Sequence, residues 1–275
     1  MKKLLLATTA FVVLAAASAN AADLARPAYA PPPPAYSWTG MYWGANIGYG
    51  WGSSKFDAAL NATTLGGTAL ASTAISESQK IDGVIGGVQS GYNYQFGGWV
   101  WGWETDFQAS GQKGGSTFAG VATVPAIALA VPYTVTTDHK LEWFGTARSR
   151  LGFLWSPNVL VYGTAGVAYG QVKDSAAINL TTAGGAVTAN ALATFKDWKA
   201  GWTAGAGIES TWGGGWSWKL EYLYIDLGKT EHTAAAALNV TGVGTVLATT
   251  ANQTFRTTDN VVRLGLNYKW GGGGY

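Results

Sequence analysis

The sequence predicts an all-β chain, folded as an eight-stranded antiparallel transmembrane β-barrel with short periplasmic turns and four long outer loops. Three observations predict it. Apolar and polar residues alternate with a period of two through eight segments, as in strands with one apolar face. The links between those segments alternate long and short. The composition joins 14 Trp, 13 Tyr and 9 Phe to 39 Gly, with 12% charged residues and no Cys. That charged share is about half that of a soluble domain. So many aromatics exclude disorder. The lack of Cys excludes a disulfide scaffold or a thiolate metal site. No basic surplus points to nucleic acid. After the leader, no apolar run reaches the roughly 18 residues a membrane helix needs.

Residues 1–21 read as a signal peptide. Lys2 and Lys3 precede an apolar stretch from Leu4 to Ala17, and Ala19-Asn20-Ala21 fits the small-x-small cleavage pattern. No Cys follows to carry a lipid. Without Lys2 and Lys3 the chain holds 15 basic and 15 acidic residues, so it is near neutral. Residues 22–37 read as a Pro-rich periplasmic spacer. Pro31 to Pro34 favour an extended chain and donate no ladder hydrogen bonds. The barrel domain takes residues 38–275.

The first strand is Met41 to Trp51, with Met41, Trp43, Ala45, Ile47, Tyr49 and Trp51 on one face. The second is Gly83 to Phe96, with Val84, Val88, Tyr92, Tyr94 and Phe96 opposite Gln89, Asn93 and Gln95. The third, Trp99 to Ala109, sets Trp99, Trp101, Trp103 and Phe107 against Glu104, Asp106 and Gln108. In the fourth, Leu141 to Leu154, Leu141, Trp143, Ala147, Leu151 and Phe153 oppose Glu142, Thr146, Arg148 and Arg150. The fifth, Val159 to Tyr169, is less regular, with Tyr162 opposite an apolar face of Val159, Val161, Ala165 and Val167. The sixth, Trp198 to Glu209, sets Trp202, Ala204, Ala206 and Ile208 against Lys199, Thr203 and Glu209. The seventh, Trp216 to Leu227, sets Trp218, Leu220, Tyr222 and Tyr224 against Lys219 and Glu221. The eighth, Asp259 to Trp270, sets Val262, Leu264, Leu266 and Tyr268 against Arg263, Asn267 and Lys269.

The short links are Gly97-Gly98, Trp155 to Asn158, and Gly213 to Gly215. The long ones are Gly52 to Gln79, Ser110 to His139, Gln171 to Asp197, and Gly228 to Phe255, rich in Ala, Thr, Gly and Ser. This alternation puts every long link at one end, and eight paired strands close without an edge. Val121 to Val135, interrupted by Pro125 and Pro132, reads as loop or as a strand extension beyond the membrane.

The aromatic face faces lipid, where a Lys or Arg at mid-bilayer costs roughly 2–4 kcal/mol. The other face carries Glu104, Asp106, Glu142, Glu209 and Glu221 with Arg148, Arg150, Lys199, Lys219, Arg263 and Lys269. Eight strands enclose a lumen that side chains fill. The expected interior is therefore a paired charge network, because a lone buried charge is costly. A catalytic pair, Glu104 with Asp106, is the weaker reading, since lumen packing produces the same spacing. Trp51 and Trp143 toward the loops, and Trp99, Trp155, Trp216 and Trp270 toward the turns, predict two interfacial girdles. A soluble ligand-binding barrel with its apolar face inward is the alternative. It would carry more Lys and Glu on its outer face.

Several stretches resemble small outer-membrane β-barrel surface proteins of alphaproteobacteria, the porin-family or opacity-like group. They are WTGMYWGANIGYGWG from Trp38, GVIGGVQSGYNYQFG from Gly83, ETDFQ from Glu104, LEWFGTARSRLGF from Leu141, YGTAGVAYG from Tyr162, GWTAGAGIE from Gly201, KLEYLYIDLG from Lys219 and VVRLGLNYKW from Val261. They cover nearly every strand and little of the loops. The resemblance implies an OmpA-type barrel in the cell outer membrane, abundant, antigenic and without enzymatic activity. Some relatives bind haemin through surface loops, and no residue here matches that role. Such barrels usually end in an aromatic residue that the assembly machinery reads; here Gly271 to Gly274 and Tyr275 follow Trp270, so either a short tail is tolerated or Tyr275 is the terminal aromatic, which bears on assembly.

The leading expectation is a structural, surface-exposed envelope barrel, with no catalytic residue, metal or cofactor. The alternatives are a narrow diffusion porin, a barrel enzyme, and a loop-borne ligand site using His139 and His232. No nucleophile motif accompanies either His, and both read as solvated loop residues. The expected partners are outer-membrane lipid and lipopolysaccharide, and the barrel assembly machinery during biogenesis. The sequence does not set an oligomeric state.

Overall fold

Alternation in the sequence becomes alternation of burial along long strands that close into one ring. The computed structural model describes residues 36–64, 69–124, 129–181, 187–240 and 244–270. The leader 1–21, nearly all of the spacer 22–37 and the tail Gly271–Tyr275 lie outside the described residues. The strands are β1 (Gly40–Thr64), β2 (Ala69–Phe96), β3 (Trp99–Ser110), β4 (Lys113–Val124), β5 (Leu129–Ser156), β6 (Val159–Thr181), β7 (Val187–Gly213), β8 (Trp216–Val240) and β9 (Gly244–Lys269). All neighbours pair antiparallel. β1 pairs with both β2 and β9, which closes the sheet on itself. β3 and β4 share one ring position, interrupted at Gly111-Gln112, so the ring has eight positions.

The three short links are tight turns. At the last of them, Gly213, Gly214 and Gly215 all adopt positive φ (111°, 62° and 82°), which a run of L side chains does not tolerate. The long links hold more strand than loop. β1, β2 and β5 run 25, 28 and 28 residues, where a tilted membrane strand needs about 9–11. The excess projects beyond the membrane as β-hairpin. Val121 to Val124 and Leu129 to Val135 belong to such an extension, on β4 and β5, and residues 125–128 lie outside the described residues.

Beyond the membrane the ring loses two of its seams. β2 and β4 meet only at Asp82↔Lys113. β7 and β8 pair down to Trp202↔Asp226, and again only at Thr188↔Asn239 and Val187↔Val240. The extensions therefore form two four-stranded sheets, β8-β9-β1-β2 and β4-β5-β6-β7. Side chains bridge the seams. Gln79 bonds Thr137 across the first. His232 Nε2 lies 2.6 Å from Asp197 Oδ2 across the second, with the Phe195 ring stacked on the imidazole at 4.4 Å.

In the membrane-spanning part the outward side chains are mostly Trp, Tyr, Phe, Leu, Ile and Val, among them Trp43, Ile47, Val88, Trp101, Leu151, Val167, Leu220 and Leu264, with small residues such as Ala45, Ala147 and Ser149 between them. No charged side chain points outward between the turns and the level of Asp82 and Glu142. Such a continuous apolar surface fits lipid, not water. One strand departs from strict alternation. The β5–β6 register slips between Leu141 and Trp143, leaving Glu142 as a bulge. One extra residue reverses every later side chain. Leu141, expected on the lipid face, is therefore buried inside with Phe144.

Candidate functional site: a plug of three layers in the lumen

The middle layer is ionic. Glu104 on β3 takes the Arg148 Nη2 hydrogen bond at 2.5 Å and that of Lys219 Nζ at 2.6 Å. The Tyr42 hydroxyl donates to its other oxygen at 2.7 Å. Asp106, two residues along, accepts from Arg148 and Arg263 at 3.0 and 2.9 Å, and from the Thr146 hydroxyl at 2.7 Å. Glu221 on β8 binds Arg148 at 3.0 Å, and Arg263 at 2.6 Å. The Tyr162 hydroxyl donates to Glu221 at 3.0 Å. Toward the turns, Arg150 bonds Glu209 at 2.7 Å and lies 4.0 Å from the Tyr162 ring centroid. Asn267 and Ser217 donate to the other oxygen of Glu209. Four carboxylates thus face four cations, all nearly excluded from solvent. Each charge is compensated by neighbours on other strands, which is the condition for burying it.

Apolar layers lie on both sides. At the turn end Trp38 packs on Val100, Leu160 and Tyr162 and is 1% exposed. Its indole Nε1 donates to Pro157 O at 3.2 Å, and its backbone N–H donates to Gln95 Oε1 at 2.8 Å. At the other end Ile85, Leu141, Phe144, Val172, Leu223, Ile225 and Val261 form a buried cluster across the lumen. Glycine makes room for these groups. A Cβ on Gly91 would meet the Tyr42 ring, and one on Gly207 the Tyr162 ring.

Eight of the eleven charges expected in the lumen come together in this layer. Three do not. Glu142 is a correction. The bulge turns it out of the lumen, where it pairs at 3.4 Å with exposed Lys196. Lys199 and Lys269 point inward but at opposite ends, away from the cluster. Lys199 donates to Thr257 Oγ1 at 3.3 Å. Lys269 bonds Ser37 O and covers the Tyr36 ring at 4.2 Å. Of the aromatic positions, Trp51, Trp99, Trp155, Trp216 and Trp270 are exposed on the outer wall. Trp143 sits there in a cluster with Phe107, Tyr169 and Trp198. Glu104 and Asp106 are bound up with arginines, an arrangement that leaves neither free as a proton shuttle.

The histidines also differ from expectation. His139 is buried and bonded to Asp174, and His232 is largely covered. Both lie on strands. Among the described residues no group of three or more His, Asp or Glu side chains could hold a metal ion. The sequence reading singled out neither Tyr42, Tyr162 nor Trp38 as plug residues. The signal for the tyrosines was present, since each is a lone aromatic on the polar face.

A plugged ring with an apolar wall is the architecture of an outer-membrane barrel, and comparison with known proteins agrees. The outer membrane protein beta-barrel domain profile matches residues 9–270. The chain belongs to that family. As a member of the outer membrane β-barrel family, it is 41% identical over 282 residues to the 31 kDa outer-membrane immunogenic protein of Brucella melitensis, covering 98% of this chain and 100% of that one. It is 28% identical to the 25 kDa outer-membrane immunogenic protein of Brucella abortus, covering 86% and 81%. It is 29% identical to a 22 kDa outer membrane protein of Rhizobium leguminosarum, covering 72% and 68%. The cell outer membrane is therefore its location, and its relatives bear the names of antigens rather than of enzymes.

Proposed function

We propose that this protein is a closed, non-catalytic surface barrel, which acts through the β-hairpins it raises above the outer membrane and not through its lumen. One observation carries the reading: the Glu104–Arg148–Glu221–Arg263 cluster, with Asp106 and Lys219, fills the cross-section with paired charge. A solute would have to part those pairs and also displace Trp38 and the Phe144 layer. The immunogenic names of the relatives support exposure at the cell surface.

The test is swelling of proteoliposomes in an isotonic pentose. The expected rate equals that of protein-free vesicles. Swelling that rises with protein content would make the chain a narrow porin instead.

A further inference from the structure

The cations that do not enter the plug follow a pattern of their own. Of the 17 Lys and Arg, Lys2, Lys3 and Arg26 precede the described residues. Six point into the barrel, as described above. The remaining eight all point outward, one on each position of the ring. Lys113, Lys140, Lys173 and Lys196 are directly opposite one another across β4, β5, β6 and β7. Lys229, Arg256 and Lys55 are directly opposite across β8, β9 and β1. Lys80 on β2 lies two residues from Asp82, the partner of Lys113. The outer wall has no other Lys or Arg among the described residues.

Like charges directly opposite in a sheet repel, so two such rows destabilise the barrel on its own. Carboxylates on the same face do not cancel them. Asp57, Asp82, Asp138, Glu142 and Glu231 face outward at this level. Among the described side chains, only Lys196, with Glu142, and Arg256, with the inward Asp226, have a carboxylate within 4.0 Å. Position explains the rows better. Lys196 precedes Trp198 by two residues, about 7 Å along the strand. Trp198, Trp143 and Tyr169 form the aromatic cluster at the edge of the lipid wall. The cation band therefore lies at headgroup height on the long-loop side, which faces outward in such barrels. It is concave at one place. Gly115 carries no side chain, and Lys113, Asp138, Lys140, Lys173 and Ser175 surround an open pocket of about 490 Å³.

We propose that this band binds the phosphate groups of outer-leaflet glycolipid, with Lys113, Lys140 and Lys173 as its principal site. The phosphates supply the counter-charge that the rows lack. The hydrocarbon chains lie against the aromatic wall below.

The test uses the folded protein in neutral-detergent micelles, titrated with bis-phosphorylated lipid A and read by native mass spectrometry. Lys113→Gln/Lys140→Gln/Lys173→Gln is expected to bind about a hundredfold more weakly, since a surface cation adds about 1 kcal/mol toward anionic lipid. The corresponding triple Arg variant is expected to bind like the parent. Heat-modifiable gel mobility reports whether each variant folds. Parent affinity is expected to fall between 50 and 500 mM NaCl, a result that needs no variant. Equal binding of dephosphorylated lipid A, undiminished binding by the Gln variant, or salt-independent affinity would each overturn the proposal. Displacement of the lipid by millimolar inorganic phosphate would overturn it too, by reassigning the site to free anions.

Discussion

Glu104 shows what a single residue decides here. It is held by a lysine, two arginines and a tyrosine contributed from five strands, counting its own. The polar side of the third strand announced it, because a carboxylate among Trp101, Trp103 and Phe107 has nowhere to go but inward. Glu142 looked identical in the sequence and is not. Its neighbours Leu141 and Trp143 are both apolar, so nothing in the residue pattern marks the bulge between them. An acid of the cluster and Glu142 should separate sharply in stability. Glu221→Gln, within the cluster, leaves arginines buried against a neutral amide and should cost about 3–5 kcal/mol in guanidinium unfolding. Glu142→Gln removes an exposed pair and should cost less than about 1 kcal/mol. Equal losses would contradict the assignment of Glu142 to the outer wall.

At the scale of the strand, period two was legible wherever one face meets lipid, and it failed where both faces meet something else. The Ala-, Thr- and Ser-rich stretches from Gly52 to Gln79 and from Gly228 to Phe255 read as loops. They continue β1, β2, β8 and β9 because each pairs with its hairpin partner, not because a face is apolar. The residue pattern carries no trace of the two open seams, which depend on which strands stay side by side above the membrane. Parity on β5 gives a direct prediction. Leu141→Ala should leave a cavity beside Phe144 and cost about 2–5 kcal/mol. If Leu141 faced lipid, as unbroken alternation requires, the substitution would cost far less. Reversible unfolding in micelles measures the difference.

For the whole molecule, the two surfaces of the barrel divide the charge between them. Four cations and four carboxylates make up the ionic layer of the lumen, and eight cations ring the outer wall at one height. A net charge near neutrality hides both features, so composition alone pointed to neither. Ring closure was legible from link lengths, and the family match agrees with it. The layering of Trp38, the ion pairs and the Phe144 cluster was not, because it depends on which inward residues share a height across eight strands.

Single-channel conductance of the folded chain in a planar bilayer tests the sealed lumen most directly. The account predicts a silent membrane for the parent protein, and discrete openings when Trp38→Ala, Arg148→Ala and Phe144→Ala are combined to remove all three layers. A steady conductance in the parent, shifted by neutralising Arg148 or Glu104, would contradict it and make the charged lumen a path.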